Sequence, residues 1–271
     1  MKAWAATAAL VAFFAVGGWY FWHGDTPTNP TATPTPVTVP NVAVQAATDA
    51  RVNGAPDATR IMLVGNSLAY ELAPAFKALP GANTFDAAVV ACAFPPSVTA
   101  TYRNPATRAE IAERPCHPSG ESAELEAFRP KIVLWLVSDP PEPWSSNGKA
   151  LHACSQPYDS IYESSLEHEI TRLRSTGASV VLTTEAYVRF VVPGGGLGAA
   201  SLPDRTVDCN NRLRRAVATK THSTIVDLFG YTCPNGECIV RTNGVTLRPD
   251  GLHYSGAGGT LAARWIFDQI R

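Results

Sequence analysis

Two short motifs near opposite ends of the chain carry groups that could do chemistry together. In Val64-Gly65-Asn66-Ser67-Leu68 a serine stands between a short apolar run and a helical stretch. A serine hydroxyl is a weak nucleophile and needs a base. The helix behind it would supply backbone N–H groups and a positive dipole end for a developing oxyanion. The plain alternative is that Ser67 only caps that helix, the usual role of serine there. In Pro249-Asp250-Gly251-Leu252-His253 a carboxylate and an imidazole lie three residues apart in one loop, whose shape is fixed by Pro249 and Gly251. Asp250 could orient His253 and leave the other ring nitrogen free to take the Ser67 proton. Here the plain alternative is an Asp-Gly turn with a surface histidine. His117, His152, His168 and His222 lack ligand-like spacing, and the chemistry calls for no metal and no cofactor.

The elements that must position these groups alternate along the chain. Arg60–Gly65, Phe85–Val90, Ile132–Val137, Val180–Thr184 and Thr224–Leu228 read as five strands, the first and third as continuous apolar runs of the buried parallel type. Helices are expected over Leu68–Leu79, Glu121–Phe128, from Tyr158 to Leu173 with Gly177 as C-cap, over Asp204–Lys220, and after a Ser255 cap to Ile270. The run Arg212, Arg214, Arg215 is expected to form a solvated face. Such alternation predicts a three-layer α/β/α sandwich with a mostly parallel five-stranded sheet, flavodoxin-like in outline. Ligands of such sheets sit beyond the carboxyl ends of the strands. The loops that matter therefore start at Gly65, Ala91, Ser138 and Glu185, and Gly194-Gly195-Gly196 marks a mobile loop. Trp135 is expected in the core. Trp144, after Pro140-Pro141-Glu142-Pro143, could either pack or stack on a sugar.

A serine after the first strand, an Asp-x-x-His before the terminal helix and a five-strand α/β domain between them resemble the SGNH (GDSL-type) hydrolase superfamily. The resemblance covers about residue 57 to 271. It is nearest to the SGNH domains of bacterial envelope O-acyltransferases, through Cys233-Pro234-Asn235-Gly236-Glu237-Cys238, Arg248 to Ser255, and Val133 to Ser138. The family's Gly-Asp-Ser stands here as Gly65-Asn66-Ser67. The resemblance implies a Ser67–His253–Asp250 triad and an acyl-serine intermediate. It also implies an oxyanion hole from the Ser67 N–H, a backbone N–H of Ala91 or Cys92 where the family has Gly, and the Ser138 hydroxyl where it has Asn. The expected function is a serine ester hydrolase or O-acyltransferase acting on O-acyl groups of an envelope carbohydrate. Its partners would be that acylated carbohydrate or another ester, and a separate membrane acyltransferase if an activated acyl donor is needed. The rivals are a lipase or lysophospholipase of the same fold and a catalytically silent glycan-binding module.

Composition sets the compartment and excludes other classes. With 45% hydrophobic and 17% charged residues the chain is not disordered throughout, and a net charge of −1 excludes a basic nucleic-acid binder. Ala3–Trp22 is one uncharged apolar run behind Lys2, long enough for a single membrane pass with the remainder exported. A signal peptide cleaved after Ala15-Val16-Gly17 is the alternative. Residues 1–25 are therefore read as anchor or signal peptide, 26–56 as a Thr/Pro-rich linker and 57–271 as the domain, at the cell membrane facing outward or secreted. Six cysteines in an exported chain predict disulfides. Asn235-Gly236 reads as a type I′ hairpin turn that sets Cys233 against Cys238. Zinc is the rival there, without the usual ligand spacing. Cys92, Cys116, Cys154 and Cys209 allow three connectivities, of which Cys92–Cys116 with Cys154–Cys209 is taken.

Overall fold

The computed structural model describes residues 42–97, 99–103, 110–112, 114–116, 121–139, 144–189 and 201–271. The apolar run at 3–22, the Thr/Pro tract at 26–40, His117, the prolines at 140–143 and the glycines at 194–196 lie outside them. In chain order the elements begin with helix α1 (Val42–Asn53), strand β1 (Thr59–Gly65), α2 (Ser67–Lys77), β2 (Ala82–Asp86), β3 (Cys92–Ala93), β4 (Thr99–Arg103), β5 (Glu110–Ala112) and β6 (Arg114–Pro115). Next come α3 (Glu121–Phe128), β7 (Ile132–Leu136), β8 (Trp144–Ser146), β9 (Lys149–Leu151), α4 (Gln156–Leu173) and β10 (Ser179–Thr183). The chain ends with α5 (Asp204–Thr221), β11 (Thr224–Val226), α6 (Leu228–Thr232), β12 (Arg241–Thr242), β13 (Val245–Thr246) and α7 (Gly256–Ile270).

The apolar runs became the centre of one five-stranded parallel sheet of order β11-β10-β7-β1-β2. Side chains alternate across it, so each run feeds two cores. Met62, Val64, Val133, Trp135, Val180 and Leu182 pack on one face with residues of α3, α4 and α5. Ile61, Leu63, Leu134, Leu136 and Val181 pack on the other with residues of α2 and α7. Each fully buried aliphatic side chain contributes about 1.5–3 kcal/mol, so the two-sided burial of β1 and β7 fixes their place and register. Trp135 is in the core, as expected. The three-layer α/β/α sandwich and its parallel five-stranded sheet are as the alternation predicts.

Several boundaries differ from the sequence reading. The folded unit starts near residue 42 rather than 57. Residues 42–53 form α1, whose Ala47 is fully buried and whose Ala50 carbonyl accepts a bond from Asn83 Nδ2 at 2.9 Å. Strand β2 begins at Ala82, three residues before the expected Phe85, yet pairing continues past it, with Ala87 and Val89 N–H donating to the Leu63 and Gly65 carbonyls. Helix α4 is capped at Arg174, and Gly177 sits in the turn beyond, its N–H on the Arg174 carbonyl. Ser255 takes the N-cap position of α7 without a side-chain capping bond.

The stretch between the second and third main strands, and the one after the third, carry structure the sequence reading passed over. A four-stranded sheet of order β5-β4-β8-β9 and a parallel pair β3–β6 form there. Trp144 lies in that small sheet, 1% exposed and stacked on Tyr158 at 4.4 Å between ring centroids. It is a packing residue and has no face for a sugar.

Three disulfides join Cys92 to Cys116, Cys154 to Cys209 and Cys233 to Cys238. The first ties β3 to the end of β6, and the second ties the approach to α4 onto α5. At the third, Asn235 and Gly236 both have positive φ (56° and 82°) and Glu237 N–H bonds to the Pro234 carbonyl, as a type I′ turn requires. The expected hairpin is nevertheless absent there, because the helix α6 leads into the turn in place of a strand. The Asn-Gly hairpin is instead β12–β13, turned by Asn243-Gly244.

Candidate active site

The site starts from a glycine. Gly65 ends β1 with φ +140°, and a Cβ there would stand 1.8 Å from the Leu136 carbonyl oxygen of the neighbouring strand. Only the missing side chain lets β1 and β7 close up at their carboxyl ends. Asn66 follows as the N-cap of α2, its Oδ1 accepting from Leu68 N–H at 3.3 Å. The capping role is thus filled by Asn66, which leaves the Ser67 hydroxyl free for another partner. That partner is His253, whose Nε2 lies 2.8 Å from Ser67 Oγ. His253 Nδ1 lies 2.6 Å from Asp250 Oδ2. The structure therefore brings Ser67, His253 and Asp250 into one hydrogen-bonded chain, half-buried at the carboxyl edge of the sheet.

The loop holding His253 is rigid for stated reasons. Asp250 Oδ1 accepts from the backbone N–H groups of Leu252 at 2.9 Å and His253 at 2.7 Å, closing the turn. Gly251, at φ +78°, lies so close to the Arg189 carbonyl that a Cβ would stand 2.0 Å from it, and the Gly251 carbonyl accepts from Arg189 N–H. Burial pushes the Asp250 carboxyl up, but the bonds from the His253 ring and the two backbone N–H groups outweigh it and bring it down to about 2. Asp250 thus stays ionised at any pH where the protein would work.

The three expected oxyanion positions fare differently. The Ser67 N–H opens α2, in the first turn, where helix geometry leaves N–H groups without carbonyl partners. Ala91 is exposed on the turn after β2, with φ +56°, a conformation glycine adopts more readily. Cys92 is buried in β3 and bonded to Cys116. The Ser138 hydroxyl points to Glu185, with Oγ 2.5 Å from Oε1. Its main chain is gripped by Asn66, which donates from Nδ2 to the Ser138 carbonyl at 2.6 Å and accepts the Ser138 N–H on Oδ1 at 3.2 Å. This clamp ties the loop after β7 to the serine turn.

Behind Ser138 lies a buried polar cluster that the sequence reading did not assemble. Arg214, expected on a solvated face, has a side chain 5% exposed, with NH2 3.0 Å from Asp139 Oδ1. Asp139 also takes bonds from Asn210 Nδ2 at 2.7 Å and Tyr162 Oη at 3.3 Å. Burial pushes the Glu185 carboxyl well up, the neighbouring Asp139 charge adds to the rise, and Arg214 offsets part of it. The signal was present in α5. Val207, Asn210, Asn211, Arg214, Val217 and Ala218 recur at helical spacing and are all buried.

No protein-family model and no curated protein matches the sequence. Solved structures do. The periplasmic domain of a lipopolysaccharide acetyltransferase from Salmonella ser. Paratyphi A is similar at TM-score 0.50, with 13% identity, over 83% of this chain and 88% of that one. The parallel sheet, with the serine turn after its first strand, decides the architecture. The fold is that of the SGNH hydrolases. A GDSL-like lipase from Bacteroides thetaiotaomicron (13% identity, 84% and 95% covered, TM-score 0.45) and the aryl esterase of M. smegmatis (14%, 79% and 99%, 0.46) are further similar structures. On the SGNH frame Ser67 occupies the turn after the first strand and His253 the loop before the last helix.

Proposed function

We propose that this chain is a serine ester hydrolase or O-acyltransferase that removes or moves O-acyl groups of an envelope carbohydrate through an acyl-Ser67 intermediate. The observation that carries the reading is the hydrogen-bonded chain Ser67 Oγ–His253 Nε2–His253 Nδ1–Asp250 Oδ2, at 2.8 and 2.6 Å, at the N-terminus of α2. His253 Nε2 takes the Ser67 proton as Oγ attacks the ester carbonyl. The oxyanion forms at the helix N-terminus, near the Ser67 N–H and the Ala91 turn. His253 then returns the proton to the leaving alkoxide, and the alcohol departs. Water or a sugar hydroxyl, deprotonated by the same imidazole, releases the acyl group and restores Ser67. Asp250 holds the ring and its charge throughout.

The three disulfides support a domain that works outside the cytoplasm. Residues 1–25 are read as its anchor or export signal and 26–41 as its tether. Among the described residues no helix is long and apolar enough to cross a membrane. The carbohydrate ester as substrate rests on the resemblance of the motifs around Cys233–Cys238 and Arg248–Ser255.

The test is turnover of a chromogenic acetyl ester together with labelling by a serine-directed fluorophosphonate. Ser67→Ala should abolish labelling and lower kcat by on the order of 10³-fold or more. Labelling of a different serine, with Ser67 untouched, would sink the assignment.

A further inference from the structure

We infer that the groove between α1 and the free edge of β2 is a carbohydrate-binding subsite, which holds part of the substrate's sugar chain while an acyl group of that chain lies at Ser67. The inference rests on the function proposed above and deepens it. The groove has a volume of about 470 Å³, with α1 on one side and residues 84–89 on the other. No member of the Ser67–His253–Asp250 arrangement lines it.

The place of the groove follows from the sheet. Strand β2 pairs with β1 alone and forms the edge. Ala87 and Val89 donate their N–H groups inward, to the Leu63 and Gly65 carbonyls. Bond directions alternate along an extended chain, so the N–H groups of Thr84, Asp86 and Ala88 point outward at the free edge. Gly65 precedes Ser67 by two residues, and Val89 therefore carries the groove wall up to the strand end from which the serine turn leaves. At about 3.3 Å per extended residue, the wall from residue 84 to residue 89 runs about 16 Å. A ligand that fills the groove and also reaches Ser67 is a chain rather than a single small ester.

The chemistry of the groove comes from polar groups that the fold leaves unspent. Lys77 and Glu124 stand at its sides, and neither makes a side-chain hydrogen bond or an ion pair among the described residues. Thr84 on the wall is 8% exposed, and its Oγ1 is buried without a partner. Such a hydroxyl costs about 1–3 kcal/mol, which a ligand hydroxyl in the groove would offset. Burial raises the carboxyls of Asp86 and Glu124, and the Ala88 N–H and Lys77 offset part of the rise at Asp86. The facing wall is small and apolar, made by Ala43, Ala46 and Ala50. Sugar hydroxyls can donate to the two carboxylates and accept from Lys77, while the C–H face of the ring lies on the alanines.

The same groups argue against a peptide strand as the occupant. Strand addition needs an unbroken row of free backbone groups along the edge. Asp86 Oδ1 takes the Ala88 N–H at 3.1 Å and breaks that row. Charged side chains beside an edge also discourage pairing with another chain. The groove suits a ligand whose hydrogen bonds go to side chains, as those of a carbohydrate do.

Binding and turnover on the full-length protein test this. The Ser67→Ala protein is applied to an array of neutral and acidic oligosaccharides of two to eight sugars, beside an array of extended peptides. It should retain glycans, and the longer ones best. Adding Ala46→Trp, which fills the groove from an exposed helix position, should abolish that binding. The pair Lys77→Ala with Glu124→Gln, at side chains the fold does not use, should weaken it about tenfold. With Ser67 present, the ratio of kcat/KM on an O-acetylated form of the bound glycan to kcat/KM on a small chromogenic acetyl ester should fall about tenfold in both groove variants. An array on which no glycan binds would overturn the inference. So would glycan binding that Ala46→Trp leaves intact, an unchanged ratio, or groove-dependent binding of peptides in place of glycans. Groove-dependent glycan binding with ester turnover that does not need Ser67 would keep the subsite and sink the proposed function. Ser67-dependent turnover with no glycan bound would overturn this inference alone.

Discussion

At the residue scale, Asn66 ties the serine turn to the loop after β7 through both ends of its amide. Its side chain accepts from Leu68 N–H and Ser138 N–H and donates to the Ser138 carbonyl at 2.6 Å. The donation needs an amide. An ionised aspartate, which the resembled motif carries there, would set a carboxylate oxygen against that carbonyl and leave both without a proton. Asn66→Asp is therefore expected to destabilise the protein by about 1–3 kcal/mol despite keeping a good capping side chain. The loss should shrink as the pH is lowered through the carboxyl titration. Denaturant unfolding at neutral and acid pH checks this, and equal stability of the two proteins at neutral pH would remove the clamp from the account. The Asn in place of Asp, read as a departure in the sequence, is in the structure a cross-strand tie between the serine turn and the loop after β7.

At the scale of elements, the legible parts were those whose pattern is periodic or apolar. The runs Ile61–Val64 and Ile132–Leu136 announce buried strands because every residue in them is apolar, and the structure buries all of them. Ser67 and Asp250–His253 were legible because each sits at a strand or helix boundary set by those runs. The small strands between Cys92 and Leu151 were not, since runs of two to five residues rich in Thr, Ser and Arg carry no period strong enough to read. Helix α5 shows the limit most clearly. Charge drew the eye to Arg212, Arg214 and Arg215 as one solvated face, while helical spacing separates them. Arg214 lies on the stripe with Asn210 and Val217, and its neighbours are directed away, with side chains 56% and 44% exposed. Unfolding of three variants should divide the same way. Arg214→Met removes the cation facing Asp139 and is expected to cost about 3–5 kcal/mol, the cost of an uncompensated buried charge. Arg212→Met and Arg215→Met break exposed pairs and should each stay within about 1 kcal/mol. A small loss at Arg214 would mean that Asp139 does not depend on it for its charge.

For the whole molecule, the cross-links tie added segments to the main fold, with Cys92, Cys116 and Cys209 buried in its core. Cys92–Cys116 and Cys154–Cys209 bracket the insertion that carries the small antiparallel sheet, and Cys233–Cys238 closes the turn that leads toward the His253 loop. Their sequence separations are 24, 55 and 5 residues. By the chain-closure estimate the bond that closes the longest loop restricts the unfolded chain most, worth about 4 kcal/mol at 25 °C, against about 2 kcal/mol for the shortest. Geometry points the same way. Cys154–Cys209 fastens α4 to α5, and these helices supply Tyr158, Tyr162, Asn210 and Arg214, the outer half of the buried cluster behind Ser138. Replacing both Cys154 and Cys209 with Ser should therefore lower Tm by roughly 10 °C, at about 2–4 °C per kcal/mol for a domain of this size. It should also lower ester turnover, because loosening α5 disturbs the buried cluster beside the Ser138 loop, which Asn66 ties to the serine turn. Replacing Cys233 and Cys238 should lower Tm by less than half as much and change turnover mainly through the loop carrying Asp250 and His253. Thermal melts and kcat on the two double variants separate these effects. A larger Tm loss at Cys233–Cys238 than at Cys154–Cys209 would show that the short turn, and not the α4–α5 contact, holds the site together.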